Sequence, residues 1–227
     1  MKIKSVLFLI LILVACQEKV QNVEDKDARA ATASEMPVGR KPVVSYTIIP
    51  AETKVHWEGS KPGTTHRGTV SVKKGQANLE GNLLVGGEVE IDMSTIEVLD
   101  LKGNQKANLE AHLKGTNSEK RNDFFNIMDY PYARFTITRT TPIANDPKFN
   151  MLVYGNLKVK GLIQEIGFKA FTEIENGQLV FESDKFSINR TDWGIRFMSK
   201  TFFPKIKDKF IDDEVVIRIS MKASSSF

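Results

Sequence analysis

The chain has 227 residues, of which 41% are apolar and 26% are charged, and its formal net charge is +4. This composition excludes disorder for the bulk of the chain, because it supplies enough apolar material for a folded core. Residues 1–15 contain two lysines and no acidic residue, and without them 30 basic residues face 28 acidic ones, a net charge of +2. Such a balance gives no indication of nucleic-acid binding, which needs a basic face.

The first 16 residues predict export followed by lipid attachment. Residues 1–4 form a short basic start, and residues 5–15 form an apolar run of 11 residues. A run of this length suits the core of a signal peptide, whereas a transmembrane helix needs about 20 residues. The run ends in Leu13-Val14-Ala15-Cys16, which looks like a lipobox. We therefore expect cleavage before Cys16 and acylation of that cysteine; the alternative is an ordinary signal peptide that happens to contain a cysteine.

Cys16 is the only cysteine of the chain, which excludes disulfide bonds and cysteine metal sites. Two or three acyl chains on it would make a stable membrane anchor. The sequence thus predicts a lipid-anchored protein of the bacterial cell envelope, either periplasmic or at the outer membrane. Residues 16–42 would comprise the acylated cysteine and a flexible tether, since residues 17–42 contain no aromatic residue and many polar ones. As a random coil this tether spans on the order of 30 Å.

From residue 43 onward, apolar and polar residues alternate with the period of a β-strand. The clearest alternating segments are 84–93, 153–160, 165–174 and 215–222. Shorter candidate strands lie at 44–49, 54–59, 68–73, 133–138 and 178–188. Eight or nine antiparallel strands in succession predict a single all-β domain over residues 43–227, either a β-barrel or a sandwich.

One segment breaks the strand pattern. Residues 104–114 place Leu109, His112 and Leu113 at helical spacing, and Gly115 provides a stop signal. We therefore expect a short helix inserted between two strands. A second short helical segment is expected over residues 118–128.

The residues that could carry chemistry are few. The chain has no nucleophile elbow, no phosphate-binding glycine loop and no His-Glu-x-x-His motif. Three histidines, His56, His66 and His112, are the candidates for metal ligands or for a general base. Their spacing matches no ligand motif, so separate histidines with structural hydrogen bonds are favoured over a metal site. We expect neither a metal nor a cofactor.

Two glycines fall at positions that the alternation directs to the interior, namely Gly87 and Gly155. The interior of an eight-stranded barrel is just wide enough to be filled by side chains or to hold one slender ligand. Glycine at such positions either leaves room for a ligand or marks a bulge or bend that closes the barrel. The residues alone leave both interpretations open.

Several motifs recur in a fixed order along the domain. They include His66-Arg67-Gly68-Thr69-Val70, Gly86-Gly87-Glu88-Val89-Glu90-Ile91-Asp92-Met93-Ser94, Leu109-x-x-His112-Leu113-Lys114, Asp123-Phe124-Phe125, Gly155-Asn156-Leu157 and Phe186-x-Ile188-x-Arg190-Thr191-x-Trp193-Gly194. In order and spacing, over about residues 45–222, this set resembles the YceI-like lipid-binding family. The link between Lys114 and Asp123 is longer than the family's usual one, which implies a longer lid.

The resemblance implies an extended, lipocalin-like antiparallel β-barrel of about eight strands, with a short inserted helix, that holds an isoprenoid or similar lipid in an apolar tunnel. Val85, Val89, Ile91, Phe135, Ile137, Leu157, Phe168 and Phe186 would face this tunnel, together with Gly87 and Gly155. Phe124, Phe125 and Met128 would lie at its mouth. His112, Asp123, Arg190 and Trp193 match family positions and are expected to be structural.

The sequence therefore favours non-catalytic binding of a long isoprenoid, quinone or acyl-chain lipid by a protein tethered to a membrane through its N-terminal lipid. One alternative is a lipid-modifying enzyme that uses His112. Another is a structural envelope lipoprotein with a filled barrel. Whether the chain forms a homodimer is left open.

Overall fold

The structure is a computed structural model that describes residues 41–225, so Cys16, the predicted signal peptide and nearly all of the predicted tether lie outside the described residues. The strands are β1 Val43–Ile48, β2 Lys54–Lys61, β3 Thr64–Glu80, β4 Leu83–Val98, β5 Tyr132–Pro142, β6 Met151–Val159, β7 Leu162–Glu175, β8 Gln178–Ser183, β9 Phe186–Asn189 and β10 Glu214–Ser225. The helix α1 covers Gly103–Lys114, and short 3-10 helices cover Pro50–Glu52, Ser118–Lys120, Arg190–Trp193 and Pro204–Lys209. None of the described helices is long and apolar enough to cross a bilayer.

The strands form a closed antiparallel ring with eight positions. Its order is β10-β2-β3-β4-β5-β6-β7-β8, and β8 pairs with β10 to close it. β1 shares the position of β2 in the ring, because it also pairs with both β3 and β10. β9 shares the position of β8, because both strands pair with β10, along different stretches of it. Ten strands therefore occupy eight places, which confirms the predicted all-β antiparallel barrel with an inserted helix.

A β-bulge early in β4 changes which side chains face the interior. Asn78 pairs with Gly86 but the next residue, Leu79, pairs with Leu84, so Val85 is an extra residue on β4. An extra residue shifts the alternation of a strand by one position. Leu84 is consequently fully buried, whereas Val85 is 37% exposed. The expectation that Val85 faces the tunnel is wrong for this reason.

The barrel is packed solid at the end that carries the β3–β4 turn. The side chains that fill it are almost completely inaccessible, with exposures of at most 1%: Leu79, Leu84, Val153, Ala170, Leu179 and Ala223. We call this the closed end. The opposite end carries the β2–β3 and β6–β7 turns, α1 and the long connection between β9 and β10.

The inserted helix is attached to the rim of the open end. Its observed bounds, Gly103–Lys114, confirm the prediction for residues 104–114. The Glu110 carboxylate accepts a hydrogen bond from the Val98 backbone N–H at 2.9 Å, which links α1 to the end of β4. The second predicted helix is reduced to the 3-10 turn Ser118–Lys120. Asn126 has a left-handed backbone with φ 49°, which a continuous helix over 118–128 would not tolerate.

The bulge makes a paired prediction. Leu84→Ala should lower the free energy of unfolding by about 2–5 kcal/mol, because it leaves a cavity in the closed end. Val85→Ala, one residue away, should cost less than about 1 kcal/mol, since its side chain is partly solvated. Denaturant unfolding of the two variants measures both values, and a larger loss for Val85→Ala would contradict the register described here.

Candidate ligand-binding cavity

A cavity of about 740 Å³ occupies the open half of the barrel. This volume lies within the roughly 300–1,000 Å³ typical of sites for small molecules. The inner part of its wall is formed by apolar side chains of the strands: Val55, Trp57, Val70, Ile91, Met93, Ala133, Phe135, Leu157, Ile166, Phe168, Phe186, Ile188, Ile217 and Ile219. Polar residues enter the wall near the β2–β3 turn, α1 and the β9–β10 connection, as Ser60, Lys61, His66, His112, Arg190, Asp208, Lys209 and Asp212. The cavity is thus apolar inside and polar at its rim.

Aromatic rings form the floor of the cavity. The rings of Phe168 and Phe186 stack with centroids 4.4 Å apart and an interplanar angle of 8°. Phe135 lies 5.7 Å from Phe168, and behind it Phe181 meets Phe168 edge-on at 6.4 Å. Rings at these separations attract one another beyond the area they bury. We call Phe135, Phe168 and Phe186 the aromatic floor, and it separates the cavity from the packed closed end.

Gly87 and Gly155 are glycines because neighbouring atoms come too close to leave room for a side chain, and not because a ligand needs the space. A β-carbon on Gly155 would lie 2.4 Å from Cζ of Phe135 and 2.6 Å from the Thr136 carbonyl oxygen. At Gly87 a β-carbon would lie 2.5 Å from the Gln76 carbonyl oxygen, and the φ of 154° also favours glycine. Of the two interpretations left open by the sequence, the structure supports the one in which these glycines let the barrel close. Gly155 contributes to the cavity indirectly, because it allows the Phe135 ring to lie across the barrel.

The side wall between β7 and β9 is closed by side chains. In the described part of the chain β9 pairs with β10 but not with β7. The stacked pair of Phe168 from β7 and Phe186 from β9 spans this seam. Further towards the open end, the Gln164 side-chain amide donates to the Asp192 carbonyl oxygen at 3.0 Å.

A buried arginine fixes the connection between β9 and β10. The guanidinium of Arg190 donates to the carbonyl oxygens of Asp212, Ile195 and Ile211 at 2.8–3.0 Å, and to the Asp213 carboxylate at 3.1 Å. Burial lowers the pKa of Arg190, and the Asp213 and Asp212 carboxylates oppose this change. Because these four hydrogen bonds join the start of the connection to its end, Arg190 holds the two ends together.

Two further contacts tie this connection to the barrel. The indole N–H of Trp193 donates to the Leu157 carbonyl oxygen at 2.9 Å on β6. The Asp213 carboxylate also accepts hydrogen bonds from the hydroxyls of Ser199 and Thr201, at 2.8 and 2.7 Å. Arg190 and Trp193 thus have the structural contacts expected of them.

His112 lies in the cavity wall near the mouth. Its ring is 2.7 Å from the Asp123 carboxylate and meets the rings of Phe124 and Phe197 edge-on, each at 5.0 Å. The ammonium of Lys160 donates to the carbonyl oxygens of Asn122 and Phe124, and burial lowers its pKa while the Asp123 carboxylate raises it. These contacts hold the segment that carries Phe124 against α1.

The other histidines lie elsewhere. His66 is bonded to the Asp100 carboxylate at 2.8 Å at the rim. His56 stands across from Arg218 on β10, and burial, followed by the Arg218 charge, lowers its pKa. Among residues 41–225 no group of three His, Cys, Asp or Glu side chains is placed to hold a metal ion.

Seven of the thirteen side chains expected around the ligand lie in the cavity wall: Ile91, Phe124, Phe125, Phe135, Leu157, Phe168 and Phe186. Val89 and Ile137 pack against the core instead of lining the cavity, and Gly87 and Gly155 are covered as described above. Val85 points outward, and Met128 is 70% exposed, so the expectation that Met128 forms the mouth is wrong. Met128 lies in the turn closed by hydrogen bonds from the Asp129 and Tyr130 N–H groups to the Asn126 carbonyl oxygen. Contact of the seven wall residues with a ligand stays a prediction.

Comparison with known proteins agrees with this architecture. Residues 46–223 match the family described as the YceI-like domain. The chain belongs to the YceI-like domain family. Its fold is similar to the crystal structure of BcnA from Burkholderia cenocepacia, with a TM-score of 0.59 at 17% identity over 78% of this chain and 99% of that one. It is also similar to a polyisoprenoid binding domain from Saccharophagus degradans implicated in plant cell wall breakdown, with a TM-score of 0.55 at 12% identity over 81% and 99% of the two chains. No curated protein sequence matches the chain.

The YceI-like domain also has wall residues that the sequence analysis did not single out. On β10, the side chains of Val215, Ile217 and Ile219 line the cavity. The alternating pattern of that strand could have identified them as inward-facing. Phe197 and Met198, in the β9–β10 connection, line it as well. They had no periodic signal, because they lie in an irregular segment held by Arg190.

The fit of the Phe135 ring over Gly155 can be tested with a matched pair of glycines. Gly155→Ala should lower the free energy of unfolding by about 1–3 kcal/mol, since the new methyl group meets the ring and a backbone oxygen. Gly59→Ala should be nearly neutral, because a β-carbon there has no atom within 4 Å although Gly59 also borders the cavity. Denaturant unfolding measures both, and equal stability of the two variants would contradict the close approach.

Proposed function

We propose that this YceI-like domain binds a long apolar molecule without chemical change, of the isoprenoid, quinone or acyl-chain type. The observation that carries the proposal is the cavity of about 740 Å³, whose inner wall is apolar and whose rim is polar. A molecule with an apolar tail and a polar end matches this division. The similar domain from Saccharophagus degradans is named for polyisoprenoid binding, which supports the same class of ligand.

The driving force would be the removal of the tail from water. Burial of apolar surface contributes roughly 25 cal/mol per Å², reduced by the cost of ordering the tail and the side chains around it. Polar groups at the rim, such as Lys61, His66 and Lys209, are available to the polar end of the ligand. They would orient the ligand, while the aromatic floor would limit how deeply its tail enters.

A lipid-modifying enzyme that uses His112 is supported by one observation, the contact of this histidine with Asp123 in the cavity wall. Besides Asp123, a catalytic role would need a nucleophile or a further proton-transfer group within hydrogen-bond reach of the ring. Within residues 41–225 the hydroxyl in the cavity wall is that of Ser60, and it is bonded to Thr65 rather than to His112. Besides Asp123, His112 contacts the rings of Phe124 and Phe197, which favours a structural role and non-catalytic binding.

The other alternative, a structural lipoprotein with a filled barrel, is supported only at the closed end. There the side chains fill the ring completely. The open half has the volume of a ligand site, and its wall residues on facing strands, such as Ile91 and Ile217, do not fill it. Binding is therefore the function that the geometry supports best.

The proposal includes attachment of the domain to a bacterial membrane through acylated Cys16, with residues 17–42 as a tether. Its support is the lipobox pattern and the polar composition of the segment that follows. A domain held near a bilayer in this way could collect an apolar molecule that has negligible solubility in water.

Blocking the cavity provides the test of binding. Ile217→Trp should lower the uptake of a fluorescent isoprenoid or acyl-chain probe at least about tenfold, since the larger ring occupies the space of the tail. Val216→Trp is the matched control, because this neighbour on β10 does not border the cavity. Uptake of the probe and thermal unfolding are measured for both. Equal uptake by the two folded variants would contradict the assignment of the cavity as the binding site.

The tether makes a separate prediction. Cys16→Ser should move the protein from the membrane fraction to the soluble fraction, because the acyl anchor can no longer be attached. Uptake of the probe by the soluble chain should be unchanged, since the cavity is formed within residues 41–225. Membrane association equal to that of the wild type would contradict the anchor. Loss of probe uptake would contradict the division between tether and binding domain.

A further inference from the structure

The connection between β9 and β10 carries an exposed loop at the open end. Its base is closed by a bridge between Ser199 and Ile211 and by the Ile211 N–H bond to the Met198 carbonyl oxygen at 2.8 Å. Ser199 is fully buried, and the loop between these two residues, 200–210, is largely exposed. The hydrogen bonds of Arg190 and Asp213 hold its base in place. The loop therefore projects from a rigid support.

Loop 200–210 combines exposed aromatic rings with basic charge. Phe202 is 42% exposed and Phe203 is 52% exposed. Four lysines of the loop are exposed against one acidic residue, Asp208: Lys200, Lys205, Lys207 and Lys209. Within the described part of the chain none of these lysines forms an ion pair, and Lys200 lies 5.0 Å from the ring of Phe210. Just before the loop, the Arg196 guanidinium covers the ring of Phe202 at 4.3 Å.

The loop lies beside the mouth of the cavity. Asp208, Lys209 and Phe210 belong to the cavity wall. On its other side, Phe203 and Ile206 border a second crevice of about 450 Å³, together with Gly194 and Arg196. A molecule that enters or leaves the cavity through this end must pass close to the loop.

Further apolar side chains continue this surface at the β6–β7 turn. Leu162 and Ile163 are 48% and 57% exposed. Leu162 adjoins the crevice, since its Cδ1 would lie 3.7 Å from a β-carbon on Gly194. Exposed apolar groups thus lie on both sides of the crevice, and the adjoining loop bears the basic charge.

We propose that loop 200–210, with Leu162 and Ile163, docks the open end of the barrel onto the surface of a bilayer that contains anionic lipids. Exposed Phe and Leu side chains can be buried at the boundary between headgroups and acyl chains, and unpaired lysines are attracted to anionic headgroups. Because the loop is basic, an anionic bilayer is favoured over a neutral surface as its binding partner. The inference deepens the proposed function, on which it rests for the identity of the cargo, and it adds the route: the cavity faces the membrane from which its ligand comes.

A tryptophan reporter tests the docking. Phe203→Trp is introduced into the full chain that also carries Cys16→Ser, so that the predicted anchor does not determine membrane binding. The matched control is Leu83→Trp, an exposed apolar position at the closed end. Quenching of each reporter by lipids with brominated acyl chains is measured on phosphatidylglycerol-rich and on phosphatidylcholine vesicles, relative to the chain with Trp57 and Trp193 alone.

We expect quenching of the residue-203 reporter on anionic vesicles, much weaker quenching on neutral vesicles, and none of the residue-83 reporter. Neutralising three lysines together that do not line the cavity, Lys200→Gln, Lys205→Gln and Lys207→Gln, should raise the amount of anionic lipid needed for half-maximal quenching on the order of a hundredfold, about fivefold for each charge. Added salt should also raise the amount of anionic lipid needed, because it screens the attraction between the lysines and the headgroups.

Equal quenching at positions 203 and 83, or equal quenching on the two kinds of vesicle, would overturn the proposal. So would shielding of position 203 that depends only on protein concentration, which would indicate a second copy of the chain as the occupant. Probe uptake is measured on the same variants. If the probe is taken up but the reporter is not quenched, the docking proposal fails and the proposed function stands. If the reporter is quenched but the probe is not taken up, the proposed function fails and the docking stands.

Discussion

The packing of the Phe135 ring across Gly155 divides the interior of the barrel, and the cavity depends on this division. A ring of eight strands has too little room for long side chains from every inward position. At Gly155 the missing side chain lets the ring approach the backbone of β6, where a β-carbon would come within 2.4 Å of it. Phe168 and Phe186 then stack beside Phe135, and below these rings the barrel is solid. Above them lies the cavity, which is lined by strand side chains such as Ile91 and Ile217.

The open end is shaped by a polar interaction of equal importance. Arg190 gives its hydrogen bonds to the chain between Ile195 and Asp213, which fixes a long irregular connection against the rim. A buried guanidinium is costly unless its N–H groups find acceptors, and here four hydrogen bonds are accepted by three backbone oxygens and one carboxylate. The result is a rigid frame for the mouth, with loop 200–210 and its lysines displayed at the outside. The apolar interior and the basic, aromatic rim therefore have separate structural causes.

Much of this architecture follows from local sequence patterns, because strand alternation and helix signals act over a few neighbouring residues. The alternation predicted an all-β domain, either a barrel or a sandwich, and the resemblance to the YceI-like family implied the barrel. The helical spacing of Leu109 and His112 predicted α1. Positions whose direction depends on pairing partners could not be predicted in this way. Val85 is turned outward by a bulge that exists only through the register with β3, and Met128 by the left-handed backbone of Asn126. Phe197 lies in a segment without periodicity, which is positioned by the hydrogen bonds of Arg190 and Asp213 rather than by strand pairing.

The central claim is that the open half of the barrel holds one long apolar molecule. Native mass spectrometry of the soluble Cys16→Ser chain, purified without detergent, measures this directly. We expect a single adduct per chain with the mass of an isoprenoid, quinone or acyl lipid, which is lost on organic extraction and regained on incubation with such a lipid. A chain that shows only its bare polypeptide mass, both as purified and after incubation with isoprenoid and acyl lipids, would contradict it.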